Sequence, residues 1–288
     1  MLLTTHQLSQ SNLKALKALL SACQMNDNAV IPVYPHLLKC YRQGLSSLLF
    51  YQKSKLIGFL ACFHFYPDAA EIALLIHPEY RQQGIAKTLW ETMLPQLPML
   101  YPDLRYLIIS TPQGLNQTWF KQHHFHFENT EYNMTCTPYI PETPQQQAYT
   151  IKTADSHDIN QLYLLDHTCF NTDRPDPIQR ITKLLETPNI KILLLCHQQR
   201  VIGQVHLVLK KHQVWITDFA IRPDMQQQGF GEALLSYCLK YIHKHHPKKI
   251  HLTVSNQNQS ALHLYQNMGF QIYNAVDYYK RGFSLDSF

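Results

Sequence analysis

The sequence predicts an α/β protein in which one domain design is used twice, and three observations predict it. The chain has 288 residues, more than one ordinary domain needs and suited to two. KLIGFL at 55–60 is answered by RVIGQV at 200–205, and IHPEYRQQGIAKTLW at 76–90 by IRPDMQQQGFGEALL at 221–235. Gly58 and Gly203, Pro78 and Pro223, Gly84 and Gly229, and Phe125 and Phe270 are each 145 residues apart, 203 − 58 for the first pair. The third observation is a succession of strand-like and helix-like patterns in the second half.

The elements of that half follow in order. YTIK reads as a short strand, and DINQLYLLDHTCF as a helix with Leu162, Leu165 and Cys169 on one face after an Asp start signal. IKILLLCHQQRVIGQVHLVLK holds two apolar runs around the polar turn HQQR, as in a hairpin. QVWITDFAIRP is a further strand and leads into the repeated turn and a helix from about 229 to 245. KIHLTVS is the next strand; after a polar loop come a helix carrying ALHLYQNMG and a final strand pair, FQIYN and DYYKRGF. TPYIPETPQQQ, residues 137–147, has three prolines and no apolar periodicity, which suits a linker. The expected division is therefore an N-terminal domain over 1–136, a linker over 137–148 and a C-terminal domain over 149–288.

Composition excludes several classes. A hydrophobic fraction of 45% supports buried cores and argues against disorder. No apolar run approaches the roughly 18 residues of a membrane span. The start, MLLTTHQLSQ, lacks a charged segment leading into an apolar stretch and a small-residue cleavage site, so a cytoplasmic location is expected. Seven cysteines stand singly, with no Cys-x-x-Cys pair, as reduced thiols do. The net charge of +5 is modest and its longest basic run is HKHHPKK at 243–249, so no nucleic-acid partner is expected. HHFH at 123–126 is not joined to a second ligand pair at metal-site spacing; it is read as a solvated strand edge, and no metal is expected.

The turn DMQQQGFGEALL at 224–235 is the strongest chemical signal. A helix start presents N–H groups without intrahelical partners, and the helix dipole adds positive potential there. Glycines at 229 and 231 let the backbone turn sharply and approach a ligand without a side chain in the way, which makes the turn a candidate pyrophosphate cradle. A third fingerprint glycine and a Gly-Lys-Ser/Thr are both absent, so neither dinucleotide motif nor Walker loop fits.

The pattern Arg/Gln-x-x-Gly-x-Gly/Ala after a strand ending in AIRP, followed some 30 residues on by Asn258, Ala261, Tyr265, Gly269 and Phe270, resembles the general-control-related N-acetyltransferase (GNAT) superfamily. The resemblance covers most of both halves, since RQQGIA at 81–86, with Arg81, Gly84 and Ala86, matches the same turn. It implies two tandem domains, each a mixed, mostly antiparallel sheet with a splayed parallel strand pair flanked by helices. It also implies acetyl-CoA as cosubstrate in that splay, with pyrophosphate on Gln226, Gln227, Gln228, Gly229, Phe230 and Gly231 and with Asn258 at the cofactor site. The thioester carbonyl is then held by a backbone N–H between Phe219 and Ile221, and Tyr265 meets the departing sulfur.

A phenol of pKa about 10 facing a thiol of about 8.5 makes Tyr265 a hydrogen-bond donor to the thiolate rather than a full proton source. Its structural alternative is a core tyrosine beside Leu262 and Leu264. Asp218 lies in the otherwise apolar or small run WITDFAI, where a carboxylate is costly unless paired or facing a cleft. Many relatives carry a glutamate where this chain has Thr253, which leaves Asp218, His251 or a water relay as the base. His206 reads as a strand residue with one satisfied nitrogen.

At the offset of 145, Tyr265 falls on Phe120, Gly269 on His124, Asn258 on Gln113 and Asp218 on Ala73. The turn survives in the first half while the chemical groups do not. The expected function is an acyl-CoA-dependent N-acetyltransferase acting on a primary amine of a small molecule or protein, with its chemistry in the C-terminal domain. A longer-chain acyltransferase and a non-catalytic acyl-CoA-binding module are the alternatives. The acceptor's identity and the oligomeric state are not legible.

Overall fold

The computed structural model describes residues 1–42, 44, 47–137, 149–170, 176–245 and 249–283. They divide into two compact units. Unit 1 is Met1–Tyr132 together with the stretch from Asn274, and unit 2 is Asn133–Tyr273. Of the expected linker, 138–148 lie outside the described residues, as do 246–248 of the basic run. Among the described residues no helix is long and apolar enough to cross a membrane.

Unit 1 contains β1 (Leu2–Thr5), α1 (Gln10–Asp27), α2 (Pro35–Leu38), β2 (Ser47–Gln52), β3 (Lys55–Tyr66), β4 (Ala69–Ile76), α3 (Ile85–Met93), α4 (Leu97–Leu100), β5 (Tyr106–Pro112) and α5 (Gln117–Gln122). β6 (His126–Cys136) begins in it. Strands β1 to β4 pair antiparallel in chain order. β4 and β5 pair parallel only from Ala69↔Tyr106 to Ile72↔Ile109, after which they part. Strand residues alternate between faces. Phe59, Ala61, Phe63, Ala73 and Leu75 pack with Leu16, Leu19 and Cys23 of α1, while Ile57, Leu60 and Ile72 pack with Leu89, Trp90 and Met93 of α3.

Unit 2 contains β7 (Tyr149–Thr153), α6 (Ile159–Phe170), α7 (Pro177–Glu186), β8 (Ile190–His197), β9 (Arg200–Leu209), β10 (Gln213–Ile221), α8 (Phe230–His245), β11 (Lys249–Ser255) and α9 (Gln259–Asn267). β7 to β10 pair antiparallel in chain order. β10 and β11 are parallel from Gln213↔Lys249 to Trp215↔His251 and then part. A Cβ on Gly203 would meet Leu234 of α8 at 3.6 Å, while Gln204 reaches Asp166 of α6, so the two helix layers lie on opposite faces of β9.

The predicted final strand pair is one continuous strand, β12 (Gln271–Gly282). NAVD at 274–277 offers no Gly or Pro to close a hairpin, so the chain runs straight on. From Asn274 onward β12 belongs to unit 1, where it pairs antiparallel with β5 from Val276↔Pro112 to Gly282↔Tyr106. Two side chains fix this entry. Asn274 accepts from the Val30 N–H at 2.8 Å and donates to its carbonyl at 3.0 Å, and Asp277 accepts from Thr130 Oγ1 at 2.7 Å and the Gly114 N–H at 2.8 Å.

The repeat extends to the backbone. Lys53, Ser54, Gln82, Gly84 and His124 have positive φ, and so do Gln198, Gln199, Gln227, Gly229 and Gly269, each 145 residues later.

Candidate functional site

In unit 2 the turn between β10 and α8 places Gly229 at φ 82°, a region that L side chains rarely adopt. A Cβ there would meet nothing within 4 Å, so the turn backbone faces open space. α8 starts at Phe230, and the Gly229 carbonyl receives the Ala233 N–H at 3.0 Å. The first N–H groups of α8 have no partner within the helix, a ready anion site. Gln226 turns its side chain inward and donates to the Ile221 carbonyl at 2.9 Å, bracing the turn against the strand end. Gln228 reaches back to the Asp224 carbonyl at 3.3 Å. A Cβ on Gly231 would lie 3.4 Å from Leu264, 3.9 Å from Ile221 and 4.0 Å from Phe219, so the turn, the strand end and α9 converge.

Where β10 leaves β11 it also slips against β9. Thr217 pairs with His206, but the next pair is Ala220 with Gln204, so Asp218 and Phe219 share the space of one residue. Asp218 takes φ 47° and is the extra residue of a bulge. A bulged residue has no ladder partner, so its backbone polar groups turn elsewhere.

The Asp218 carboxylate lies 3.3 Å from His206 Nδ1, with His206 buried. Burial opposes the charged form of Asp218, but the hydrogen bond and charge of His206, the Thr217 hydroxyl and Arg180 outweigh it and bring the carboxyl down to about 2. His206 Nε2 is buried without a hydrogen-bond partner. Beside this pair, Asp166 accepts from Gln204 at 2.6 Å and is paired with Arg180.

Tyr265 of α9 is 6% exposed, its ring edge-on to Phe219 at 6.0 Å and to Phe270 at 5.8 Å. Burial pushes its phenol well above the usual range. Asn258 caps α9, its side-chain oxygen accepting from the Ala261 N–H at 3.1 Å. Thr253 donates to Asn133 at 2.8 Å. His251 stacks on Trp215 at 5.1 Å within the parallel segment, before the splay, and burial lowers its pKa.

Unit 1 repeats the scaffold but not the bulge. Gly84 has φ 77° with open space beyond it, and Arg81 donates to the Ile76 carbonyl at 3.3 Å as Gln226 does to Ile221. Arg81 is also held by Asp27 at 2.8 and 2.6 Å, so its charge is already matched. Ala86 and Gly84 line a cavity of about 440 Å³ at the β4/β5 splay, together with Leu75, Ile109, Ser110 and Phe120. β4 stays in regular register with β3 from Ile76 to Glu71, with Ala73 opposite Ala61. Phe120 stacks on Tyr279 at 4.1 Å.

Sequence reasoning passed over Glu71, Asp166 and Arg180. Glu71 carries the same signal as Asp218, a carboxylate in the apolar run AAEIALLI, but the repeat offset points to Ala73 instead. Asp166 and Arg180 are legible only once α6, α7 and β9 are packed.

An acetyltransferase (GNAT) family model matches residues 13–100 and 157–270. A GCN5-related N-acetyltransferase from Sphaerobacter thermophilus is similar in fold at TM-score 0.82 and 14% identity, over 98% of this chain and 95% of that one. A tandem GNAT protein from the clavulanic acid biosynthesis pathway matches at TM-score 0.68 and 13% identity over 98% of each chain. An acetyltransferase of the GNAT family from Colwellia psychrerythraea matches at TM-score 0.61 and 12% identity, over 99% of this chain and 100% of that one. At such identities the likeness concerns fold alone. No curated protein matches the chain by sequence.

Proposed function

Because the chain belongs to the acetyltransferase (GNAT) family, we propose that it moves an acetyl group from acetyl-CoA to a primary amine of a small molecule or protein, with the chemistry in unit 2. The observation that carries this assignment is the bulge at Asp218 and Phe219 at the mouth of the splay, which β4 of unit 1 lacks.

The open backbone of Gly229 beside the N–H groups at the start of α8 fits a pyrophosphate. When bound, acetyl-CoA supplies the activated thioester. The chain's own residues supply the rest. Backbone N–H groups released by the bulge are the donors for a developing oxyanion, which need no reorganisation during reaction. The Tyr265 hydroxyl is the donor to a departing thiolate; with its pKa raised, it donates a hydrogen bond and keeps its proton. The Asp218 and His206 pair accepts the proton that an incoming ammonium must lose before it can attack. With its own pKa near 2, Asp218 is a weak base, so its part is to orient the imidazole.

Release of free thiol from acetyl-CoA over a panel of primary amines tests the reading. Asp218→Asn, His206→Gln and Tyr265→Phe should each lower kcat at least tenfold. Full activity in all three would remove the chemistry from unit 2.

A further inference from the structure

The sheet face that carries His206 in unit 2 continues past it into a cationic, aromatic patch. Thr217 pairs with His206, Trp215 stands two residues earlier on β10 and on the same face, and Trp215 is in parallel register with His251 of β11. Lys249, two residues before His251, takes that face as well. The Trp215 and His251 rings stack at 5.1 Å, Tyr273 meets His251 edge-on at 5.5 Å, and Lys210 Nζ lies 5.1 Å from the centroid of the Trp215 ring. α6 covers this face at Gln204, whose side chain bonds Asp166, but Lys249 and Thr253 are exposed, so the face is open toward β11.

The segments that build the patch carry no acid. Residues 187–217 and 233–276 contain no Asp or Glu, and they include all of β8, β9, β11 and α9. Burial first, then the charges of Lys249 and Lys210, lower the pKa of His251 and keep its ring neutral. A second, independent observation lies in the rings. Among the described residues Trp215 Nε1 and His251 Nδ1 are shielded from solvent and have no hydrogen-bond partner. An indole N–H can only donate, and a neutral imidazole can carry its proton on Nδ1. Such donors beside two ammonium groups call for an acceptor with negative charge.

We propose that this patch holds a carboxylate or phosphate at the far end of the acceptor, so that the substrate of unit 2 is an aliphatic primary amine with a terminal anionic group. The inference rests on the acetyl-transfer reading of unit 2. Trp215 lies two residues along the strands from the Thr217 and His206 pair, about 7 Å, which a pentyl chain can span. The amine end lies at His206, the chain runs beside the Trp215 and Tyr273 rings, and the anion is met by Lys249, Lys210 and the ring N–H groups.

The test compares δ-aminovalerate with n-pentylamine, which have the same carbon count and differ in the terminal carboxylate. Thiol release from acetyl-CoA is measured for both, with calorimetry of the full chain in the absence of acetyl-CoA. KM for δ-aminovalerate should be at least about tenfold below that for n-pentylamine, at similar kcat. Lys249→Gln and Lys210→Gln, both at exposed positions, should each raise it at least about threefold and leave n-pentylamine unaffected. Trp215→Phe keeps a ring, removes the N–H and should act in the same direction. Melting curves show that each variant is folded. Equal KM values, or a preference untouched by all three variants, would overturn the proposal while acetyl transfer stands. If neither amine releases thiol, the transfer reading falls and calorimetry decides on the patch. Binding of δ-aminovalerate that Lys249→Gln weakens retains the anion site, and no binding, or binding equal to that of n-pentylamine, removes it.

Discussion

The half-buried Asp218 and the buried His206 form a pair, Oδ2 to Nδ1 at 3.3 Å, at the point where β10 bulges away from β9. Thr217 stands opposite His206, and in a regular strand the next residue, Asp218, would turn to the other face; the bulge, with Asp218 at φ 47°, lets its carboxylate reach His206 instead. The depressed Asp218 pKa of about 2 links this geometry to stability. Its contribution is full above the unfolded value of about 3.9 and is lost as pH falls through about 2. Asp218→Asn should therefore cost roughly 2 kcal/mol near neutral pH, a difference that shrinks between about pH 4 and 2. Denaturant titrations of both proteins across that window measure it.

Tyr265→Phe separates catalysis from packing. A charge-assisted hydrogen bond of about 1.5 to 3 kcal/mol, made to the thiolate in the transition state, predicts at least a tenfold drop in kcat with KM for acetyl-CoA nearly unchanged. The ring contacts with Phe219 and Phe270 survive the change, so Tm should barely move. A lower Tm with kcat unaltered would make Tyr265 a structural tyrosine. Phe120→Tyr should restore little in that background, since β4 has no bulge beside it.

At Gly229 a side chain is disfavoured by φ 82° and fills the open space above the turn. Gly229→Val should weaken acetyl-CoA binding, read by calorimetry on the folded variant. The matching Gly84→Val reports whether unit 1 contributes a second site; one strong site, or two of unequal affinity, is the expected count.

Glu71 titrates in the opposite sense to Asp218. Its pKa rises from 4.5 to about 7 in the folded chain, so the folded state favours its protonated form. Stability from this group is full below about pH 4.5 and falls as pH rises to about 7. Groups acting on it include Tyr34, Glu131 and Tyr278. Glu71→Gln should flatten the decline in Tm between pH 5 and 8, and thermal melts across that range check it.

Much of this architecture was legible because its signals are local. The glycine turns need positive φ, the offset of 145 recurs in both sequence and backbone, and the Asp218 anomaly rests on a single polar residue in an apolar run. What escaped is long-range. Nothing within FQIYNAVDYYKRGF states that Val276 will pair with Pro112, because register is set by partners distant in sequence. The Glu71 and Glu131 pair was hidden for the same reason, its members being brought together by the sheet rather than by spacing.

The path of β12 also sets an order of events during synthesis. Residues 274–282 lie between β5 and β6 in the completed sheet of unit 1, yet they are translated after all of unit 2. Domains usually fold as they emerge, the earlier one first. Here the earlier unit waits, with the β5 ladder open and Val30 without its Asn274 partner, while about 140 further residues are made. An open ladder of that kind is a template for wrong pairing, so a stop codon before 274 leaves a nascent chain whose first unit, not its last, is the one left unfinished.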